Sequence, residues 1–201
     1  WKMVSTTGGA LYLVFFRPAE MPHLPAGLYH QRSFDGGLNW TDPVALAVSP
    51  DYASTLQSTS FLDIAAGVEG SIFVTWDDPQ SKRAMYTMSA DGGRGWKEPQ
   101  LVDASPLNAR RARIILGSEQ EILFLWEATR SELAIGLYQQ FSQDGGQTWR
   151  EPEPIMQNWL TSIQGMDLVP LGDGKTWMVI GGQTGALELA IWDRERAVQS
   201  G

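Results

Sequence analysis

The sequence predicts an all-β chain built from successive four-stranded antiparallel blades of a β-propeller, and three observations predict it. An octapeptide of pattern SxDGGxxW occurs three times, as SFDGGLNW from Ser33 to Trp40, SADGGRGW from Ser89 to Trp96 and SQDGGQTW from Ser142 to Trp149. Its period is nearly constant: Ser33 to Ser89 is 56 residues and Ser89 to Ser142 is 53, a little above the roughly 40–50 residues of familiar propeller repeats. Between the copies lie short apolar and β-branched runs bounded by Gly, Asp and Ser, the pattern of strands separated by tight turns.

Each octapeptide reads as a hairpin corner carrying its own plug. Asp35, Asp91 and Asp144 accept backbone N–H bonds across the turn, and the pairs Gly36/Gly37, Gly92/Gly93 and Gly145/Gly146 supply the positive φ angles of a sharp reversal. Trp40, Trp96 and Trp149 fold back under the hairpin, burying on the order of 200 Å² each, with the indole N–H expected on a carbonyl. An acid-proline pair follows each Trp: Asp42-Pro43, Glu98-Pro99 and Glu151-Pro152. Proline cannot donate to a strand ladder, so the strand after each corner is expected to be the outermost of its blade.

The remaining elements fall into register on the same basis. The first blade has an inner strand at Trp1–Val4, a second strand at Ala10–Phe16 after Gly8-Gly9, and a third at Gly27–Ser33. The second repeats this as FLDIAA, SIFVTW and AMYTMS, the third as ARIIL, EILFLW and GLYQQFS, and the fourth as MDLVPL, KTWMVI and ALELAIW. The expected blades cover about 1–48, 57–104, 110–157 and 164–201 of a single domain, and the fourth lacks a corner octapeptide. About three and three-quarter blades are therefore present, which reads as part of a six- or seven-bladed ring. The competing reading is a four-bladed ring closed by its own termini.

Composition bounds the partners. The chain of 201 residues is 43% hydrophobic with nine Trp, enough for a packed core. A formal charge of −8 argues against nucleic acid or an anionic membrane surface as the main partner. No apolar run approaches a membrane span, and with no cysteine there is neither disulfide nor thiolate chemistry. His23 and His30 are too few and too far apart for a metal site, and Asp77-Asp78 reads as turn-capping acid rather than a cation site. Neither a metal nor a cofactor is expected.

SxDGGxxW in three registered copies resembles the Asp-box, or BNR repeat, of sialidases and similar propellers. The resemblance covers nearly the whole chain. It implies that the box residues are structural and sit on the rim away from the ligand face, so Asp35, Asp91 and Asp144 are not expected to be catalytic. It also implies a sialidase-like glycoside hydrolase propeller, or a non-catalytic module binding carbohydrate or protein, in either case outside the cell or on its surface. The expected ligand is a glycan or other small molecule on the axial face. That face is formed by loops that lead into inner strands and leave second strands. Self-association, or docking with the rest of a parent propeller, is a further expectation, because an uncovered strand at each end invites pairing.

Several residues point to that axial face. Thirteen positions before the second-strand ends Phe16, Trp76, Trp126 and Ile180 stand Met3, Asp63, Arg113 and Asp167. Three of the four are charges within apolar strands, and such charges need partners or water. They form either a self-neutralising Asp–Arg–Asp belt or a ligand-facing set. Arg110, Arg111 and Arg113 cluster at the start of an inner strand, and planar guanidinium forks suit a sugar carboxylate. Arg17 in FFRP is similar to a sialidase arginine motif without its Ile, and ends a second strand instead of lying on a first. Arg83 and Arg130 are ordinary loop arginines. The resemblance implies a Tyr nucleophile activated by Glu, with an Asp as acid/base. Tyr12, Tyr29, Tyr86 and Tyr138 read as core or packing positions, which leaves Tyr52 and Glu127 as the catalytic candidates.

Overall fold

A computed structural model of the protein describes residues 1–18, 24–57, 61–67, 70–117, 120–130, 133–157, 163–170, 175–182 and 187–193, with backbone alone at 54–57, 130, 133–135 and from 156 onward. It is all-β. Three four-stranded antiparallel sheets follow one another in chain order, joined by a three-stranded sheet at the C-terminal end. The first sheet is β1 (Lys2–Ser5), β2 (Leu11–Arg17), β3 (Gly27–Ser33) and β4 (Val44–Val48). The second is β5 (Leu62–Ala66), β6 (Ile72–Asp77), β7 (Ala84–Ser89) and β8 (Gln100–Leu101), and the third is β9 (Ala109–Leu116), β10 (Ile122–Arg130), β11 (Leu133–Ser142) and β12 (Glu153–Gln157). The last is β13 (Ile163–Pro170), β14 (Lys175–Gly182) and β15 (Leu187–Asp193). His23 and the Asp173-Gly174 turn lie outside the described residues.

Every four-stranded sheet runs in sequence order from inner to outer strand, and the strand after each octapeptide is the edge. The inner strands β1, β5 and β9 are neighbours in turn, so the sheets fan about a common side. Strand alternation explains the packing. Ile72, Val74 and Trp76 of β6 join a core with Tyr12, Val14 and Leu28 of the first sheet. Phe73 joins a second core with Ile114, Phe124 and Trp126 of the third. Strand β6 is buried at all six positions because a sheet covers each face.

The corners form as their residues dictate. Gly36, Gly37, Gly92, Gly93, Gly145 and Gly146 all have positive φ. In each corner the serine hydroxyl donates to the aspartate at 2.8 Å and accepts from the second glycine's N–H at 2.9 Å. Asp35 is held down to about pKa 2 chiefly by the Asn39 backbone N–H, and Asp144 to about 2 chiefly by the Thr148 hydroxyl. Asp91 is lowered as well, first by the Gly95 N–H.

Three local departures from expectation have physical causes. The connection after β4 is a 3-10 helix, Pro50–Gln57. Ser49 Oγ accepts the Asp51 N–H at 3.2 Å, and proline suits a first helical position. The strands of the third sheet also extend well beyond their apolar runs, to Arg130 and from Leu133. Finally, the indole N–H groups do not all find carbonyls. Trp40 donates to Gly37 O at 3.0 Å, but Trp149 donates to the Tyr86 hydroxyl at 3.1 Å. The Trp96 N–H meets no hydrogen-bond acceptor among the described residues, and its ring stands edge-on to His30 at 5.0 Å. His30 and Tyr86 each lie three residues before their corner serine, so these two plugs seal the seam to the preceding blade.

Candidate functional site

The ends of β6 and β10 and the start of β9 meet on one face of the sheets, opposite the corners. There the structure gathers four charged side chains. Asp77 follows Trp76 at the end of β6, and Glu127 follows Trp126 in β10; they are 4% and 3% exposed. Arg110 Nε lies 3.2 Å from Asp77 Oδ2, and Arg111 Nη1 lies 3.1 Å from Glu127 Oε2. The Arg111 backbone N–H also donates to Asp77 Oδ1 at 2.8 Å.

Two consecutive arginines reach two different carboxylates because β9 is bulged. Its register against β10 skips between Leu125 and Glu127, so that Arg111 and Ala112 together oppose Trp126. Arg111 takes φ of 52°, in the left-handed region. For a residue with a Cβ this conformation costs about 1–2 kcal/mol, and such strain collects where a side chain must be aimed. Asn108, with φ of 57°, turns the chain into the strand. Its carbonyl accepts the Thr129 hydroxyl at 3.0 Å.

Deeper along the same strands, Arg113 Nη1 pairs with Asp63 Oδ1 at 3.3 Å, and Asp63 Oδ2 accepts the Ile114 N–H at 3.2 Å. The Arg113 guanidinium lies over the Phe61 ring at 4.3 Å. Between the two charged levels the Thr75 hydroxyl donates to Ala112 O at 2.6 Å. Burial raises the pKa of both Asp63 and Asp77, with Arg113 and Arg110 respectively pulling the other way. The two levels differ in access. Arg113 is 11% exposed, whereas Arg110 and Arg111 are each 31% exposed. The outer pair is therefore a set of cations held on buried carboxylates with one side toward solvent.

Asp63, Arg113 and Asp167 face Thr75, Leu125 and Val179 on the adjacent second strands. Met3 does not share their register. Aligned on the corner serines, Phe15 rather than Phe16 is the counterpart of Trp76 and Trp126, so Lys2, opposite Val14, holds the equivalent place in the first blade and Met3 matches Ile64 and Ile114. Asp63 and Arg113 form the first link of the expected belt; the side chains of Asp167 and Arg130 lie outside the described residues. Arg83 anchors the connection after β8 through the carbonyls of Asp103 and Ser105, at 2.6 and 2.7 Å.

The two catalytic candidates stand in different surroundings. Glu127 belongs to the charged cluster. Tyr52, a candidate from a loop expected on the ligand face, is a core residue at 1% exposure. Its hydroxyl donates to Asp78 at 2.8 Å and accepts the Trp76 indole N–H at 2.8 Å. Burial, followed by Asp78, raises its pKa, the reverse of what a phenolate nucleophile needs. Asp77 was filed as a turn cap in the sequence, yet it is the hub of the cluster. The available signal was the pair of strands ending TWD and LWE, an acid after the terminal Trp in successive blades.

The corners stand apart from this cluster. Gly92 N and Gly145 N donate to Gly70 O and Gln120 O at 2.9 Å, tying them to the turns at the opposite strand ends. Asp35, Asp91 and Asp144 spend their carboxylates within their own hairpins. Among the described residues no group of His, Cys, Asp and Glu is arranged to hold a metal, and no helix is long and apolar enough to cross a membrane.

Comparisons with known proteins agree with this architecture. Residues 3–197 match the model of the BNR repeat-like domain. No curated protein matches the chain. Among solved structures, a protein of unknown function from Dyadobacter fermentans is 19% identical at a TM-score of 0.63, over 96% of this chain and 60% of that one. A Hadza microbial sialidase is 15% identical at 0.61, over 94% of this chain and 43% of its own. An α-L-arabinofuranosidase from Fusarium graminearum is 13% identical at 0.61, over 94% and 59%. The chain thus spans 43–60% of the length of these three structures, and at such identities the likeness is one of fold.

Proposed function

Because this chain belongs to the BNR repeat-like domain family, we propose that it contributes the blades of a sialidase-like glycoside hydrolase propeller whose axial face takes a sugar carboxylate. The observation that carries the reading is the pair Arg110 and Arg111, aimed by a bulge, fixed on Asp77 and Glu127 and partly open to solvent. A guanidinium already held in place loses less freedom when an anion docks, and its planar fork matches a carboxylate. The sialidase and arabinofuranosidase of like fold are both named for action on glycosides. An extracellular or cell-surface location fits a glycan ligand, and the rest of the ring would come from a longer parent chain or a second copy.

The test is turnover by the intact protein. Fluorogenic aglycone release from an N-acetylneuraminic acid glycoside is expected, and Arg111→Gln is expected to lower it by about a hundredfold or more, in the range of a lost charge-assisted contact in the transition state. Release from an arabinofuranoside but not from the sialoside would overturn the anionic substrate.

One observation favours a second reading, a binding module without turnover. The described tyrosine nearest in role to a nucleophile, Tyr52, is buried with a raised pKa. On that reading the sialoside binds to the wild type, is lost in Arg111→Gln, and is never hydrolysed.

A further inference from the structure

On the face that carries the corners, opposite the arginine pair, a cleft of about 410 Å³ opens at the seam between the second and third sheets. The same seam position between the first and second sheets is filled, and comparison of repeat positions explains why. One residue before the corner serine, Arg32 of the first blade spans the seam and donates from Nη1 to Gly92 O at 2.6 Å. It also lies over the ring of Phe34, one residue past that serine, at 5.3 Å. Opposite Arg32 on the adjacent strand, the Tyr12 hydroxyl approaches Gly92. In the second blade the residues at these three positions are Met88, Ala90 and Phe73, and all three line the cleft. A long cation, an aromatic ring and a hydroxyl have been exchanged for a shorter thioether, a methyl and a bare ring, and the vacated volume is the cleft.

Its walls are chemically specific. Met88, Leu116 and Ile122 give an apolar base, and Lys97, Gln120, Glu121 and Gln147 stand around it. Asp144 also borders it, but that carboxylate is taken up by Ser142, Gln147 N–H and Thr148 in its own corner. The lining thus carries one cation, two carboxylates and two amides, a net charge of −1 that disfavours an anionic ligand, with donors and acceptors both present. The volume falls in the roughly 300–1,000 Å³ range of small-molecule sites. We infer that this cleft is a second ligand site, for a neutral polyhydroxylated ligand of one or two sugar units, separate from the anion-directed axial face. Hydroxyls both donate and accept, and the apolar C–H face of a sugar ring suits the aliphatic base.

The experiment is amide-resolved NMR titration of the chain with cellobiose and lactose, with N-acetylneuraminic acid as the charged control. Saturable millimolar shifts are expected at Ala90, Gly117 and Gly145 with at least one disaccharide, without shifts there from the acid. The variant Met88→Arg/Ala90→Phe, which installs the first blade's residues, is expected to weaken this binding at least tenfold while leaving the Arg111 amide unmoved. Ala90→Trp serves as the independent block if the double variant does not fold. Absence of saturable shifts with both disaccharides, shifts that survive the blocking substitution, or equal response to the acid would overturn the inference. Arg111→Gln abolishes only the axial binding, so failure of either site is read separately.

Discussion

The two seams that join the first three blades are built from the same repeat and share a tryptophan plug, Trp96 on His30 and Trp149 on Tyr86, but differ in what else holds them. Between the first and second sheets the contacts are aromatic. His30, stacked at 5.9 Å on Tyr12 of its own sheet, meets the edge of Trp96 at 5.0 Å, while Phe16 stacks on Tyr52 at 5.9 Å. Between the second and third sheets the inner strands are clasped by Asp63–Arg113 and Asp77–Arg110, with Thr75 donating to Ala112 O. Lys2 occupies in the first blade the register that Asp63 and Arg113 occupy in the next two, and its charge acts on Asp63 with no ion pair between them among the described residues. One seam is a sealed structural joint. The other places charge at the axial end and leaves a cleft at the corner end, so the repeat separates scaffold from site by changing a few side chains at fixed positions.

Breaking the charged seam is expected to have the largest effect. Asp77→Ala strands Arg110 and leaves the Arg111 N–H without its carboxylate acceptor. Loss of one partner from a buried pair costs about 3–5 kcal/mol, readable as a fall in urea midpoint. A loss below about 1 kcal/mol would show that the clasp is dispensable.

The aromatic seam is expected to fail in acid instead. Burial, followed by the nearby Arg32 charge, lowers the His30 pKa from 6.5 to about 4. The native state therefore holds His30 neutral where the unfolded chain binds a proton, so stability is intact above about pH 6.5 and falls between there and about pH 4. That window is worth about 3 kcal/mol. His30→Phe is expected to flatten the stability profile over it, and an unchanged slope would remove His30 as the cause. The corner carboxylates act later: Asp35 and Asp144, lowered to about 2, release their turns only as pH falls from the ordinary aspartate value of 3.8 toward 2.

Smaller effects sharpen the contrast. Tyr52→Phe removes the hydroxyl between Asp78 and the Trp76 indole, at about 1–3 kcal/mol for the buried indole N–H left unsatisfied, with no change in affinity for a charged sugar. Gly37 and Gly93 occupy the same corner position with φ of 93° and 77°. A Cβ at 93 would come within 2.5 Å of the His30 ring, whereas at 37 its nearest neighbour is Leu11 at 3.5 Å. Gly37→Ala is expected to cost about 1 kcal/mol from left-handed strain, and Gly93→Ala clearly more. Equal thermal shifts for the two would contradict the sealed joint.

The fold was legible because its signals are local. A Ser, an Asp, two Gly and a Trp close a corner through contacts within the octapeptide, and strand alternation supplies the rest. The inner-strand register of Asp63 and Arg113 was legible for the same reason, since a constant offset from Trp76 and Trp126 suffices. Tyr52 was misjudged because its burial depends on a 3-10 helix that packs it onto Trp76 of the next sheet. Asp77 was passed over because its partners lie 33 and 34 residues away in sequence, and a bulge at Arg111 that no local pattern announces brings them together. The cleft beside Met88 was invisible for a simpler reason. Its cause is the absence of bulk, which shows only when one seam is compared with the other.

The most direct test of the axial site is calorimetric titration with N-acetylneuraminic acid and, separately, with its methyl ester, which keeps the shape and removes the charge. The acid is expected to bind the wild-type protein, with binding lost both in the ester and in Arg111→Gln. Equal binding of acid and ester, or full retention in Arg111→Gln, would contradict an arginine pair set to receive a sugar carboxylate.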